Sequence, residues 1–352
     1  MTGRPPELIE APRPMDQDPL SDVLSSVRLR GAIFYYVSCS APWAIEAPPA
    51  RMLADIVMPG ADHVLAYHLI AKGDAWVEMD NAPSATLTEG DIIMFPRGDA
   101  HFLSSARGLR AAPSDPQWVH ATRNDPKPIP VAHYRGVLQP CAELPAEEAD
   151  TVIVCGFIGC DLRPFNPLIT ALPRQLHLSG NQVGAWVVPV LHQAVAESRS
   201  RRPGSAAVLE RVSEMVFVDA ARRYLESMPD DASGWLAALR DRHVGRAIAL
   251  MHERPAESWT IDELGRQVGL SRSALHERFV ELVGQPPMQY LTSWRMQRGA
   301  QLLREGRATV ATIAQEVGYD SEAAFARAFK RLTGLPPAAW RRGQRFAALS
   351  AH

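Results

Sequence analysis

One phrase occurs twice in this chain at a fixed offset. "ALHERFVELVGQPPMQYL" begins at Ala274 and "AFARAFKRLTGLPPAAWR" begins at Ala324. Ala274, Phe279, Leu282, Gly284, Pro286 and Pro287 recur as Ala324, Phe329, Leu332, Gly334, Pro336 and Pro337. A short helix with one apolar side, closed by Gly-x-Pro-Pro, cannot fold alone, so its repetition demands two similar helical units.

The segment before each copy is repeated as well. In "WTIDELGRQVGLSRSALHERF", Thr260 and Glu263 form a capping box, and Ile261, Leu264 and Val268 make the buried stripe of a first helix. Gly269 supplies a left-handed turn, and Ser271 caps a second helix that buries Leu275 and Phe279. In "TVATIAQEVGYDSEAAFARAFKR" the same parts are Ile313 and Val317, then Gly318, then Asp320 or Ser321 as the cap, then Phe325 and Phe329. Between the units, "MQYLTSWRMQRGAQLLRE" predicts a mostly buried connecting helix built on Tyr290, Leu291, Trp294, Met296, Ala300, Leu302 and Leu303. Roughly seventeen residues at 1.5 Å each span about 25 Å. A rod of that length suits two recognition helices on successive major-groove segments, about 34 Å apart. Each unit alone makes few contacts; tethered, each raises the effective concentration of the other on one duplex.

Charge is distributed accordingly. From Glu257 to the end there are 13 Arg/Lys against 9 Asp/Glu, a net of +4; since the whole chain is −2, the preceding part is −6. A basic end on an acidic remainder suits a polyanion-binding module joined to something else. No run approaches the eighteen or so apolar residues of a membrane span. The opening "MTGRPPELIEAPRPMDQDPL" has no signal-peptide core and reads as a disordered lead over 1–20. Cys39, Cys141, Cys155 and Cys160 are too few for a disulfide scaffold in a chain of 352 residues. The expectation is a cytoplasmic protein of two or three domains without a membrane segment.

The front half is patterned differently. "GAIFYYVSC", "HVLAYHLI", "DAWVEM", "DIIMFP" and "TVIVCGF" are short apolar or alternating runs separated by "AKGD", "TEGD" and "PRGD", the pattern of a small β-barrel or sandwich. "SARGLRAAPSDPQWVHATRNDPKPIP" interrupts it as a long loop. After Cys160 the period becomes helical. Asn166 and Pro167 open a helix in "FNPLITALPRQLHL", and "AWVVPVLHQAVAES" and "AAVLERVSEMVFVDAARRYLES" follow. The apolar band of the last is wider than one core-facing stripe, which fits either ordinary core or packing on a second copy.

Residues 256–343 resemble the AraC/XylS family of transcriptional regulators, on "TIDELGRQVGLSRSALHERF", "RMQRGAQLL" and "TIAQEVGYDSEAAFARAFKRLTGLPPAAWR". The resemblance implies a DNA-binding domain over 251–345, with helix-turn-helix motifs at about 260–281 and 309–331, acting on promoter DNA and, through it, on RNA polymerase. It places base-facing positions of the first motif on Arg272, Ser273, His276 and Glu277, and those of the second on Glu322, Ala323 and Arg327, with Lys330 and Arg331 near the backbone. Glu277 and Ala323 depart from better-known members, so the operator cannot be inherited from them. Arg327 can fork onto a guanine edge, and Glu277 can accept from a cytosine amino group or orient a neighbouring arginine.

Pro96-x-Gly98-x-x-His101 in "TEGDIIMFPRGDAH" resembles the second motif of the cupin barrels, and "YHLIAKGDAWVEM" a worn first motif. The fold class implied is α+β multidomain: a cupin-like β-barrel or sandwich as sensor over 21–178, a helical linker with dimerisation over 179–250, and the all-α double helix-turn-helix domain. His68, Trp76, Glu78 and His101 are the candidates to face an effector inside the barrel. Catalytic cupins add a histidine two residues before the first and a carboxylate after it. Here Ala66 holds the first position, His63 is on the opposite face, and no acidic residue follows within four. The expectation is a non-enzymatic regulator, with a cupin metalloenzyme fused to a DNA-binding domain as the alternative. Cys155 and Cys160 have odd spacing and belong on opposite strand faces. A bend at Gly156 and Gly159 would let them converge, to bind zinc with His68 or His101 or to sense oxidants. Otherwise they are small buried hydrophobes. No cofactor is required by any of this.

Overall fold

The computed structural model describes residues 18–111, 121–122, 125, 127–134, 137–141, 149–181, 186, 189–190, 193 and 203–349. Most of the expected lead and the helix expected in "AWVVPVLHQAVAES" lie outside these residues, but positions 19–20 are not lead. They open a helix, α1 (Pro19–Ser26), capped by the Asp18 carboxylate accepting from the N–H groups of Leu20 and Ser21.

The N-terminal domain, the sensor of the sequence expectation, is two facing sheets. The larger has seven strands in the order β11-β6-β3-β10-β1-β8-β9, the smaller four in the order β2-β7-β4-β5. The principal strands are β1 (Arg30–Cys39), β3 (His63–Lys72), β6 (Ile92–Phe95) and β10 (Thr151–Cys160), with β8 (Ile129–Tyr134), β9 (Val137–Pro140) and β11 (Leu176–Leu178) at the flanks. β2 (Ala44–Ala47), β4 (Ala75–Glu78), β5 (Ala85–Leu87) and β7 (His101–Ser104) make the second sheet.

Strands β3 and β10 are buried on both faces, which is why their sequences read as continuous apolar runs. Ala66 and Ile70 of β3, with Ile153 and Phe157 of β10, face the space between the sheets. Leu65, Tyr67 and Leu69, with Val152, Val154, Ile158 and Cys160, face the helices outside. Gly98, at φ +68° and with the Val64 carbonyl 2.7 Å from where a Cβ would sit, makes the tight turn between β6 and β7.

Helix α2 (Ala54–Val57) and α3 (Pro167–Ala171) are short; Asn166 stands at the α3 N-cap, but its amide donates back to the Asp161 carbonyl instead of capping. The expected long helix is α4 (Ser205–Ser227). It is sensor as much as linker. It crosses β1 so closely that Gly31 has no room for a side chain, and Ser213 bonds Tyr67 at 2.7 Å. Helices α5 (Trp235–Arg240) and α6 (Val244–Glu253) then lead to the tail.

The repeated units appear where expected: α7 (Ile261–Val268) and α8 (Arg272–Val283), the rod α9 (Pro287–Glu305), then α10 (Val310–Glu316) and α11 (Glu322–Thr333), closed by α12 (Pro337–Leu349). The rod's 19 residues amount to about 28 Å. The two units do not share one interior. The first belongs to the core that runs from the outer face of the larger sheet through α4, α5 and α6 to Leu275, Phe279 and Trp294. The second has its own, around Ile313, Phe325, Phe329 and Trp340.

Candidate nucleic-acid interface and sensor interior

Each recognition helix is positioned by local signals. The Thr260 hydroxyl accepts from the Glu263 N–H at 3.1 Å, while the Glu263 carboxylate turns to Arg266 and Gln267, so half of the capping box forms. Gly269 takes φ +75°, and Ser271 accepts from Ala274 N–H at 3.3 Å to start α8. In the second unit Gly318 takes φ +81°, and Ser321, not Asp320, caps α11 through Ala324 N–H at 3.2 Å. Gly284 and Gly334, at φ +78° and +79°, end the two helices.

Leu275, Phe279, Phe325 and Phe329 anchor the inner faces at 0% exposure. On the outer faces Arg272, Ser273, His276, Glu277, Glu322, Ala323, Arg327, Lys330 and Arg331 are all exposed. The structure thus gathers each predicted set on one side of its own helix. The arginines and lysines on and beside the two helices differ in how they are paired. Arg266 pairs with Glu263, Arg272 faces Asp262 at 3.5 Å, and Arg278 is held by Asp241. Glu277 orients none of these arginines. Arg327, Lys330 and Arg331 enter no ion pair among the described residues, so the second helix presents its cations unneutralised.

Inside the sensor, strand register brings Tyr35, Cys155, His68 and Ile93 into one row across β1, β10, β3 and β6. The smaller sheet adds His101. His68 Nδ1 lies 3.0 Å from the Cys155 sulfur and its Nε2 lies 2.7 Å from His101 Nε2; His101 Nδ1 donates to the Asp99 carbonyl at 2.9 Å. Phe95 stacks on His101 at 3.5 Å. Burial holds both imidazoles neutral: His101 is lowered to about 4, and His68 well below its ordinary value by burial and by His101. Burial also raises the Cys155 thiol, with Cys39 adding to it. The row carries no charge at neutral pH.

Trp76 and Glu78 are not part of it. Ala75 and Val77 point inward, so strand alternation turns these two outward. Arg107 sits 6.0 Å above the Trp76 ring, and Glu78 pairs with Arg110 and accepts from Gly108 N–H. Cys155 and Cys160 do not converge either. β10 runs unbroken through Gly156 and Gly159, leaving Cys155 inside and Cys160 in the helix-facing core, its thiol pushed up to about 12 by burial. The reason is steric: Gly156 makes room for the Tyr67 ring, 2.3 Å from where a Cβ would sit, rather than for a bend.

The cupin resemblance raises a metal, and the donors do not fit one. His68 presents one nitrogen to Cys155 and the other to His101, so a single ion cannot meet all three groups. No group of three or more His, Cys, Asp or Glu among the described residues is arranged to hold a metal ion. Among the same residues no helix is long and apolar enough to cross a membrane.

Two side chains on the rod were not singled out from sequence. Gln297 is 1% exposed, and Arg304 reaches across to Asp161 at 3.0 Å. Their signal was spacing: both continue the stripe of Tyr290 and Trp294, where an apolar residue is the ordinary choice.

Comparison with known proteins agrees with this architecture. Residues 18–226 match the cupin family and residues 264–343 the helix-turn-helix domain family. An AraC-like transcription regulator of Streptomyces lividans is 31% identical over 330 residues, 92% of this chain and 98% of that protein. The transcriptional regulator AlkR of Acinetobacter baylyi is 28% identical over 320 residues, 89% and 95% of the two chains. Among solved structures, the DNA-binding domain of AdpA in complex with a target DNA is 28% identical, covering 30% of this chain and 94% of that one, with a TM-score of 0.29. With the Streptomyces lividans regulator 31% identical over nearly the whole of both chains, this chain belongs to the AraC family of transcriptional regulators, an N-terminal cupin domain joined to a C-terminal pair of helix-turn-helix units.

Proposed function

We propose that this DNA-binding regulator reads two successive major-groove segments from one protomer, and that a small molecule in the sensor interior sets its activity. Arg272, Ser273, His276 and Glu277 would meet the first segment; Glu322, Ala323 and Arg327 the second, with Lys330 and Arg331 on phosphates. The observation that carries this reading is that all nine are exposed, on two separately capped helices joined by a rod, with the sensor in place. Arg327 suits a guanine edge, Glu277 a cytosine amino group, and Ala323 only an apolar contact such as a thymine methyl.

The experiment is selection of duplexes from a random pool with the full-length chain, followed by hydroxyl-radical footprinting. Two protected patches about one helical turn apart on one side of the duplex are expected. Absence of any salt-sensitive binding refutes the reading.

For the effector, the supporting feature is the neutral row of Cys155, His68 and His101. Cys155 is only partly buried and lies on the side of β10 that faces the second sheet. Such a lining favours an uncharged, largely apolar ligand with one hydrogen-bonding group; an ion would find no counter-charge there. A ligand changes DNA affinity only by as much as it distinguishes two arrangements of the domains. Native mass spectrometry of the purified chain tests for a copurifying small molecule, and recovery of stoichiometric zinc instead would overturn this part. A second copy of the chain would pack on α4. Val208 and Met215, seven residues apart, are 48% and 49% exposed there, while the opposite face lies on β1. Sedimentation of Met215→Glu, monomeric where the parent is dimeric, tests that surface.

A further inference from the structure

The rod α9 carries a stripe that the recognition helices do not account for. Tyr290, Trp294, Gln297 and Arg304 follow one another at spacings of four, three and seven, one side of a helix. The first two are core. A buried amide and a guanidinium in the same stripe are costly unless every polar atom is matched. Here the partners come from the sensor. Gln297 Oε1 accepts from the Phe165 N–H at 3.1 Å, and its Nε2 donates to the Ser26 carbonyl at 3.0 Å. Arg304 donates one nitrogen to the Asp161 carboxylate at 3.0 Å and another to the same Ser26 carbonyl. Ser26 ends α1, where carbonyls lack partners within the helix, so the rod's two side chains cap it. Asp161, 3% exposed at the end of β10, also faces Arg28 at 3.5 Å.

Placement makes these ties more than packing. The first reading unit is continuous with the sensor's helices through one core, but the second is not. Met296, Ala300 and Leu303 floor the second unit from the same half of the rod that Gln297 and Arg304 fasten to the sensor. All nine predicted contact residues are exposed with the sensor docked. The sensor therefore does not act by covering the recognition helices.

We propose that Gln297 and Arg304 are positioning residues, through which the sensor fixes the second recognition helix relative to the first and so sets the half-site spacing the chain accepts. This rests on the two-groove reading above. The rod is the element both domains share, and loosening its far half would let α11 swing while α8 stays in place.

The test uses the full-length chain and a duplex selected with it, into which single base pairs are inserted or deleted between the two half-sites. Each base pair rotates one half-site by about 34°, so the parent chain is expected to lose affinity about tenfold per step. Arg304→Ala and Gln297→Leu are expected to bind the best spacing about fivefold more weakly, yet to lose less than about threefold per inserted base pair. Their affinity for a duplex carrying only the first half-site should equal that of the parent. Asp161→Asn, which weakens the tie from the sensor side, should move the profile the same way, and Arg304→Lys should partly restore it. A parental spacing profile in the variants overturns the proposal, as does equal weakening on every duplex including the single half-site. Should the parent show no salt-sensitive binding to any duplex, the two-groove reading falls, and the proposal with it.

Discussion

Gly31→Ala should damage the packing of α4 on the sensor. An added Cβ would stand 2.3 Å from Ser213 Cβ, 2.7 Å from the Glu210 carbonyl oxygen and 3.1 Å from the Glu214 nitrogen. Ordinary contact starts near 3.4 Å, so α4 must retreat by about 1 Å. Two of the three obstacles are backbone, and no rotamer relieves them. Overpacking of this kind costs roughly 1–3 kcal/mol. The retreat also stretches the buried Tyr67–Ser213 hydrogen bond of 2.7 Å, worth about 1 kcal/mol more. A total of about 2–4 kcal/mol corresponds to a melting temperature lower by about 4–15 °C for a unit of this size. Thermal unfolding followed by circular dichroism reads the change. Gly343→Ala is the control: it lies in α12, nothing stands within 4 Å of its added Cβ, and alanine should be neutral or mildly stabilising. A Gly31→Ala melt within about 1 °C of the parent would mean that α4 does not rest on β1 in this way.

Three further outcomes follow from the interface and the interior. Arg327→Ala should cost roughly 1–3 kcal/mol on a selected duplex and relax preference at one base pair; equal weakening on all sequences would make Arg327 a phosphate contact. Lys330→Ala with Arg331→Ala should weaken binding uniformly and flatten the plot of log affinity against log salt by about two, and an unchanged slope would take both off the backbone. Because folded His101 sits at about 4 against an ordinary 6.5, the unfolded chain takes up a proton below 6.5 that the folded chain refuses. Stability is therefore lost as pH falls from 6.5 toward 4, by about 3 kcal/mol from this group. Denaturant unfolding should show a shallower acid loss in His101→Gln than in the parent, and parallel profiles would refute the assignment.

The DNA-binding half was legible because each of its boundaries is written locally. Thr260, Gly269, Ser271, Gly318 and Gly334 act on their own few residues, and each does in the structure what its chemistry suggests. The strongest strands were legible for a similar reason, since β3 and β10 are apolar throughout. Strands β2, β5, β7, β9 and β11 escaped notice because three or four residues carry little period, and β8 because its start falls in the stretch read as one long loop. Facing was harder than existence. Trp76 and Glu78 looked like pocket residues from type alone, and only the packing of their neighbours Ala75 and Val77 into the core between the sheets shows which side they take. Cys155 and Cys160 turned on whether two glycines bend a strand or admit a tyrosine, which depends on a residue nearly ninety positions away. Gln297 and Arg304 were hidden in the same manner, their partners Ser26, Asp161 and Phe165 lying more than 130 residues away in sequence.

The continuous interior shared by the sensor's helices and the first reading unit has a consequence for dissection of the molecule. A cut near residue 250 would strip α7–α9 of the apolar partners supplied by α5 and α6, leaving Phe279, Tyr290 and Trp294 open to water on one side. Tails severed there would tend to clump, and swapping them onto other sensors would succeed only if α5 and α6 travelled with them. The second unit, holding Phe325, Phe329 and Trp340 within itself, is the portable half.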